Sequence, residues 1–118
     1  MKKAGIISVA VLFLLVSASL LHALDMSGVI AYPVPFNPRK DASLKIANPG
    51  TYSMKVEIFD INGDPVCTKS GSVAFLYWNG RNEKGNYVKP GMYIIKISAE
   101  NISTGDYGKK IIRILVDY

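Results

Sequence analysis

Trp78-Asn79-Gly80-Arg81-Asn82-Glu83-Lys84-Gly85-Asn86-Tyr87-Val88-Lys89-Pro90-Gly91-Met92-Tyr93 is a long turn that runs straight into an extended segment. It holds one large aromatic anchor, three glycines and a proline. Glycine supplies backbone conformations that other residues resist, and proline fixes its own φ, so the two together mark a built turn. Trp78, Gly80, Gly85, Gly91 and Tyr93 are expected to anchor it. None of these residue types at this spacing forms a catalytic constellation.

On both sides of the turn the apolar residues recur with a period of two. Leu44 and Ile46 alternate with Ser43 and Lys45, and Met54, Val56 and Ile58 with Ser53, Lys55 and Glu57. Beyond the turn, Tyr93, Ile95 and Ile97 alternate with Ile94, Lys96 and Ser98, and Ile112, Ile114 and Val116 with Arg113, Leu115 and Asp117. Such alternation sends one set of side chains to a core and the other outward. Asn48-Pro49-Gly50, Ile61-Asn62-Gly63-Asp64, Gly71 and the segment 101–108 punctuate the runs. Asn62 and Gly63 are expected to close a tight hairpin. Seven short strands follow, at about 27–36, 43–47, 53–60, 65–69, 73–79, 91–99 and 109–117, the pattern of an all-β sandwich. Pro33, Pro35 and Pro38 lack the N–H a central strand needs, which puts the first strand on an edge.

The N-terminus reads differently. Met1-Lys2-Lys3 is followed by 18 uncharged residues, Ala4 to Leu21, and then by Leu21-His22-Ala23. That order is expected of a secretory signal peptide, with Val16-Ser17-Ala18 and Leu21-His22-Ala23 as candidate cleavage sites, the second setting the expected domain boundary, and an uncleaved membrane anchor is its alternative. The expected organisation is therefore a leader helix over 1–23 and one sandwich domain over 24–118. The 14 basic residues fall to 12 without Lys2 and Lys3, against 9 acidic, a net charge of about +3. Those charges are interspersed, so the pI near 9.4 does not describe a nucleic-acid surface. The expected destination is the periplasm, the cell surface or the extracellular space.

Reactive residue types are scarce. Cys67 is the sole cysteine and His22, in the leader, the sole histidine. No intramolecular disulfide, no Ser-His or Cys-His nucleophile and no zinc site can be assembled after the leader. Cys67 is expected as a half-buried small apolar residue. Asp60-Ile61-Asn62-Gly63-Asp64 has oxygen ligands at alternate positions but lacks the rest of a calcium loop, and is read as a turn. No catalytic, cofactor or metal residue is expected, and the chain is read as a non-enzyme. Asn101-Ile102-Ser103 matches a glycosylation acceptor.

Three ordered motifs carry a resemblance. Tyr32-Pro33-Val34-Pro35-Phe36-Asn37-Pro38 resembles the Tyr-Pro-Asn-Pro-Phe-Asn-Pro opening of C-terminal sorting domains of type IX secretion. Val56 to Val66 looks like their third strand, hairpin and fourth strand. Trp78-Asn79-Gly80-Arg81-Asn82-Glu83-Lys84-Gly85 is similar to their Trp-Asp-Gly-Arg-Asp-x-x-Gly turn, and Pro90-Gly91-Met92-Tyr93 to the Gly-x-Tyr after it. The same pattern marks the immunoglobulin-like domain of the flagellar hook-capping protein. The chain departs at Val34, where the family has Asn, and at Asn79 and Asn82, where it has Asp. The resemblance implies an immunoglobulin-like or fibronectin type III-like sandwich of about seven antiparallel strands.

Function is expected to be protein–protein interaction or envelope assembly. A strand added to the edge opposite the proline-rich one, or a contact on the long turn, would serve it, the partner being an envelope or surface protein. One alternative is a carbohydrate-binding module stacking sugars on Tyr77, Trp78 and Tyr87, and another a degenerate export tag. Trp78, Tyr32 and Phe36 are expected to pack inward. Tyr52, Tyr87, Tyr107 and Tyr118 are the candidates for exposed contacts.

Overall fold

The computed structural model describes residues 23–118. The expected leader, its cleavage site and His22 lie outside the described residues or at their border. The described chain forms seven strands in two antiparallel sheets and contains no helix. They are β1 (Ala31–Tyr32), β2 (Leu44–Ala47), β3 (Ser53–Asp60), β4 (Pro65–Gly71), β5 (Phe75–Trp78), β6 (Gly91–Glu100) and β7 (Tyr107–Val116). One sheet has the order β1-β2-β5 and the other β4-β3-β6-β7. This is the seven-stranded sandwich that the alternation predicted, with chain crossings between layers after β2, β4 and β5.

The core is made by the inward set of each alternating run. Leu44, Ile46, Val56, Ile58, Ile95, Ile97, Ile114 and Val116 are all fully buried. Each such side chain contributes about 1.5–3 kcal/mol relative to exposure. Trp78 closes one end, its ring 5.8 Å from Phe36 and 5.9 Å from Tyr93. Cys67 joins this core, more deeply buried than half.

Strand limits differ most at the N-terminal edge. Instead of a strand over 27–36, only Ala31–Tyr32 pairs with β2, and Phe36 makes a separate bridge to Val116 of β7. The Tyr32-Pro33 and Val34-Pro35 peptides are cis. Pro33 and Pro35 deny the ladder its donors, so pairing stops where the prolines begin. The β1 strand is nonetheless an edge, as expected. Phe36 packs fully inward, but Tyr32 does not: Ala31 before it packs against the core, so Tyr32 turns to the outer face and stays exposed. Tyr52, expected outside, is partly buried and packs against the core.

Candidate interaction surface

The long turn is built from side-chain caps. Asn82 Oδ1 accepts hydrogen bonds from the N–H groups of Lys84 and Asn86, each at 3.0 Å. Its backbone closes the same loop, with Gly85 N–H donating to Asn82 O and Asn82 N–H to Asn86 O, each at 2.9 Å. The β3–β4 hairpin repeats this arrangement. Asp60 Oδ1 accepts from Asn62 N–H at 2.9 Å and Asp64 N–H at 3.0 Å, and Gly63 N–H donates to Asp60 O at 3.0 Å. In both loops the glycine takes positive φ, +86° at Gly63 and +84° at Gly85. An Asn therefore replaces an Asp without loss of a cap, because only one side-chain oxygen is used. Asn62 itself keeps negative φ. The left-handed position belongs to Gly63 alone, the loop being a type I turn with a glycine bulge.

Trp78 is 0% exposed, and its indole N–H donates to Arg81 O at 2.9 Å. Gly80, at φ +77°, lies against Pro38 and Phe36, so the proline-rich edge and the tryptophan turn lock together. Gly91 opens β6 opposite Val116. Tyr93 is buried and its hydroxyl donates to Lys89 O at 2.6 Å, tying the start of β6 to the end of the turn. Burial, then the nearby Asp60 and Tyr118, push the Tyr93 hydroxyl above its ordinary pKa. Desolvation likewise raises the Cys67 thiol to about 11. The Ser27 N–H lowers Asp25 by bonding its carboxylate.

The expected sugar platform is not assembled. Trp78 points into the core, Tyr77 points the other way and is 51% exposed, and Tyr87 sits in the turn. The Tyr87 ring is already covered by the guanidinium of Arg81 at 4.0 Å and that of Arg39 at 5.3 Å. Arg39 also lies 5.0 Å from the Tyr118 ring. Tyr87, Tyr107 and Tyr118 are exposed as expected. Asn101 of the glycosylation pattern uses its Oδ1 to cap Ser103 N–H at 3.0 Å. Among the described residues, no group of three or more His, Cys, Asp or Glu side chains is placed to hold a metal ion.

A sandwich has four strand edges, and three of them carry some guard here: proline on β1, a covering loop on β4, and positive charge with ties at both ends on β7. The β1 edge is two residues long and ends in prolines. The β4 edge is closed by Glu83 of the long turn: its N–H donates to Val66 O at 3.2 Å, and its carboxylate accepts from Thr68 N–H at 3.1 Å. The β7 edge carries Lys109, Lys110 and Arg113 and is covered at both ends by the N-terminal segment. Only β5 is neutral and unguarded. Asn48 N–H donates to Ala74 O, so Ala74, Leu76 and Trp78 turn their backbone groups to β2. The N–H and C=O of Phe75 and Tyr77 therefore face outward, with no partner placed against them among the described residues.

The outer face beside that edge is aromatic. Tyr32, Lys45 and Tyr77 lie in one row across β1, β2 and β5. Phe75 lies 6.5 Å from Tyr77, centroid to centroid, and pairs with Ala47 in the next row. Sequence reasoning named Tyr77 but missed Phe75 and the outward turn of Tyr32. The alternation Val73, Phe75, Tyr77 was the available signal. The Glu83 clamp had none, since the residues it joins are 15 positions apart.

Neither a known protein family nor a curated protein matches the sequence. Among solved structures, the chain is similar to PorZ of Porphyromonas gingivalis, described as an essential bacterial surface component of the type-IX secretion system. The two share 25% identity with a TM-score of 0.61 over 79% of this chain. The chain spans only 12% of the length of PorZ.

Proposed function

We propose that this chain is an exported, non-enzymatic interaction module of the cell envelope, related to the β-domains of type IX secretion, that binds its partner by strand addition at β5. Likeness to part of a secretion-system surface component and the sorting-domain-like motifs support the class. The same class and the signal-peptide-like order of residues 1–23 support a periplasmic or cell-surface position. A hook-capping type of role, scaffolding assembly rather than sorting cargo, is the finer form compatible with a non-enzyme.

The observation that carries the reading is the bare β5 edge. Natural sheets blunt exposed edges with charge, proline or a covering loop, and an edge without any of these is a template for another strand. Main-chain bonds at Phe75 and Tyr77 would supply affinity, and the flanking rings would supply contact area. A photoreactive amino acid placed at Tyr77 tests it, with the same group at Lys96, on the outer face of the other sheet, as control. Crosslinking to one envelope protein is expected at position 77 only, and Phe75→Pro, which removes an outward N–H, should abolish it. Equal labelling from both positions, or indifference to the proline, would count against strand addition.

A further inference from the structure

We propose that the β1/β7 flank is a separate docking site for an extended peptide with acidic residues on either side of an apolar one. The inference does not rest on the β5 reading. It begins with the path of residues 24–36. Leu24 N–H donates to Tyr107 O at 3.1 Å, and Phe36 N–H donates to Leu115 O at 2.8 Å while Phe36 O accepts from Asp117 N–H at 3.0 Å. The odd-numbered residues of β7 thus turn their backbone groups away from β6. Between those two ties the segment leaves β7 to pair with β2 at Ala31–Tyr32. The outward N–H and C=O of Lys109, Ile111 and Arg113 are left facing an opening, with no partner among the described residues.

That opening is a depression of about 400 Å³ lined by Val29, Ile30, Ala31, Val34 and Ile112, with Lys110 at its side. Lys110 is held back, its ammonium donating to Met26 O at 3.0 Å, so it borders the space rather than filling it. From Lys109 to Arg113 the edge runs about 14 Å, at roughly 3.4 Å per residue, which fits a five-residue guest strand. The outer face of that window reads basic, apolar, basic: Lys109, Ile111 (63% exposed) and Arg113. No acidic residue occurs anywhere on β7. Directly opposed side chains on paired strands interact, and opposite charges there are favourable. A guest therefore fits best with acids opposite Lys109 and Arg113, an apolar residue opposite Ile111, and small apolar residues turned into the depression. The same cations repel a basic or a second identical strand, which makes the edge selective rather than closed.

The test uses the full-length chain and a fluorescein-labelled peptide, Ser-Asp-Val-Leu-Val-Asp-Ser, followed by fluorescence anisotropy. Saturable binding is expected, weakened at least about tenfold when both Asp are replaced by Lys or when the protein carries Lys109→Glu with Arg113→Glu. N-methylation of the peptide at Leu blocks an antiparallel guest and at the two Val a parallel one. One of these two methylations is expected to abolish binding. Ile111→Pro, which deletes an outward N–H and leaves the β6 ladder intact, should do the same in a protein whose circular dichroism is unchanged. Absence of binding overturns the proposal. So does binding indifferent to peptide charge, or binding that tolerates both methylations, which would describe a cationic surface without strand pairing.

Discussion

Gly80→Ala should destabilise this domain well beyond Gly85→Ala, although both glycines hold nearly the same backbone conformation. Their φ values are +77° and +84°, and an L-residue in that left-handed region costs about 1–2 kcal/mol. For Gly85 nothing else is added, because a Cβ there would meet no heavy atom within 4 Å. At Gly80 a Cβ would stand 2.5 Å from Pro38 Cβ, 3.1 Å from Pro38 Cγ and 3.3 Å from Phe36 Cε2. Carbon atoms settle at about 3.5–4.0 Å. Neither neighbour can yield cheaply: the Pro38 ring is tied to its own backbone, and Phe36 is fully buried against Trp78. Overpacking of this kind costs about 1–3 kcal/mol. The expected losses are thus about 2–5 kcal/mol for Gly80→Ala and about 1–2 kcal/mol for Gly85→Ala. In a domain of this size, each kcal/mol lowers Tm by about 4–8 °C. Urea unfolding followed by the fluorescence of Trp78, the only tryptophan, reads both variants with a probe beside the clash. Equal losses, or a milder loss at Gly80, would refute the claim that the proline-rich edge and the tryptophan turn are packed as one unit.

The matched turns predict that Asp60→Asn leaves stability within about 0.5 kcal/mol, since Asn82 makes the same bonds with one amide oxygen; Asp60→Ala should cost about 1–2 kcal/mol, measured by urea midpoints. Cys67 predicts a pH dependence. Its thiol titrates near 11 in the fold against an ordinary 9.0, so the unfolded chain loses that proton first and the contribution of Cys67, intact below pH 9, is lost as pH rises towards 11. The wild-type urea midpoint should fall more between pH 8 and pH 10.5 than that of Cys67→Ala.

The period-two runs made the layers legible because burial of one face is a local, repeating constraint. Leu44 and Ile46, or Ile95 and Ile97, need only their own alternation to be placed inside. Gly63 and Gly85 were legible for a similar reason: positive φ is a property of one residue and its immediate turn. What the alternation did not expose were relations between distant segments. Tyr32 was expected inside because it sits among prolines beside Phe36, yet the strand ends after it and Phe36 turns to β7 instead. The sugar platform failed on elementary pleating, since Tyr77 and Trp78 are consecutive in a strand and face opposite sides. Glu83 was read as a turn residue, and its hold on β4 needs the whole sandwich closed before it exists.

The edges carry the functional argument because a β-sandwich of this kind has little else to offer a partner. Its core is apolar, and its turns are stapled by their own caps. The cluster of stacked cations and rings formed by Arg81, Tyr87, Arg39 and Tyr118 is already satisfied internally. Backbone groups left facing outward on β5 and β7 are different, since water is their only alternative to another strand. The two edges belong to different sheets and lie on opposite flanks, β5 beside β4 and β7 beside the N-terminal segment. Occupation of one therefore leaves the other free. A charge reversal at Lys109 and Arg113 should not touch crosslinking at Tyr77, and Phe75→Pro should not touch peptide binding at β7. If either variant silenced both, a shared unfolding would explain it, and neither edge would retain its claim to be a site.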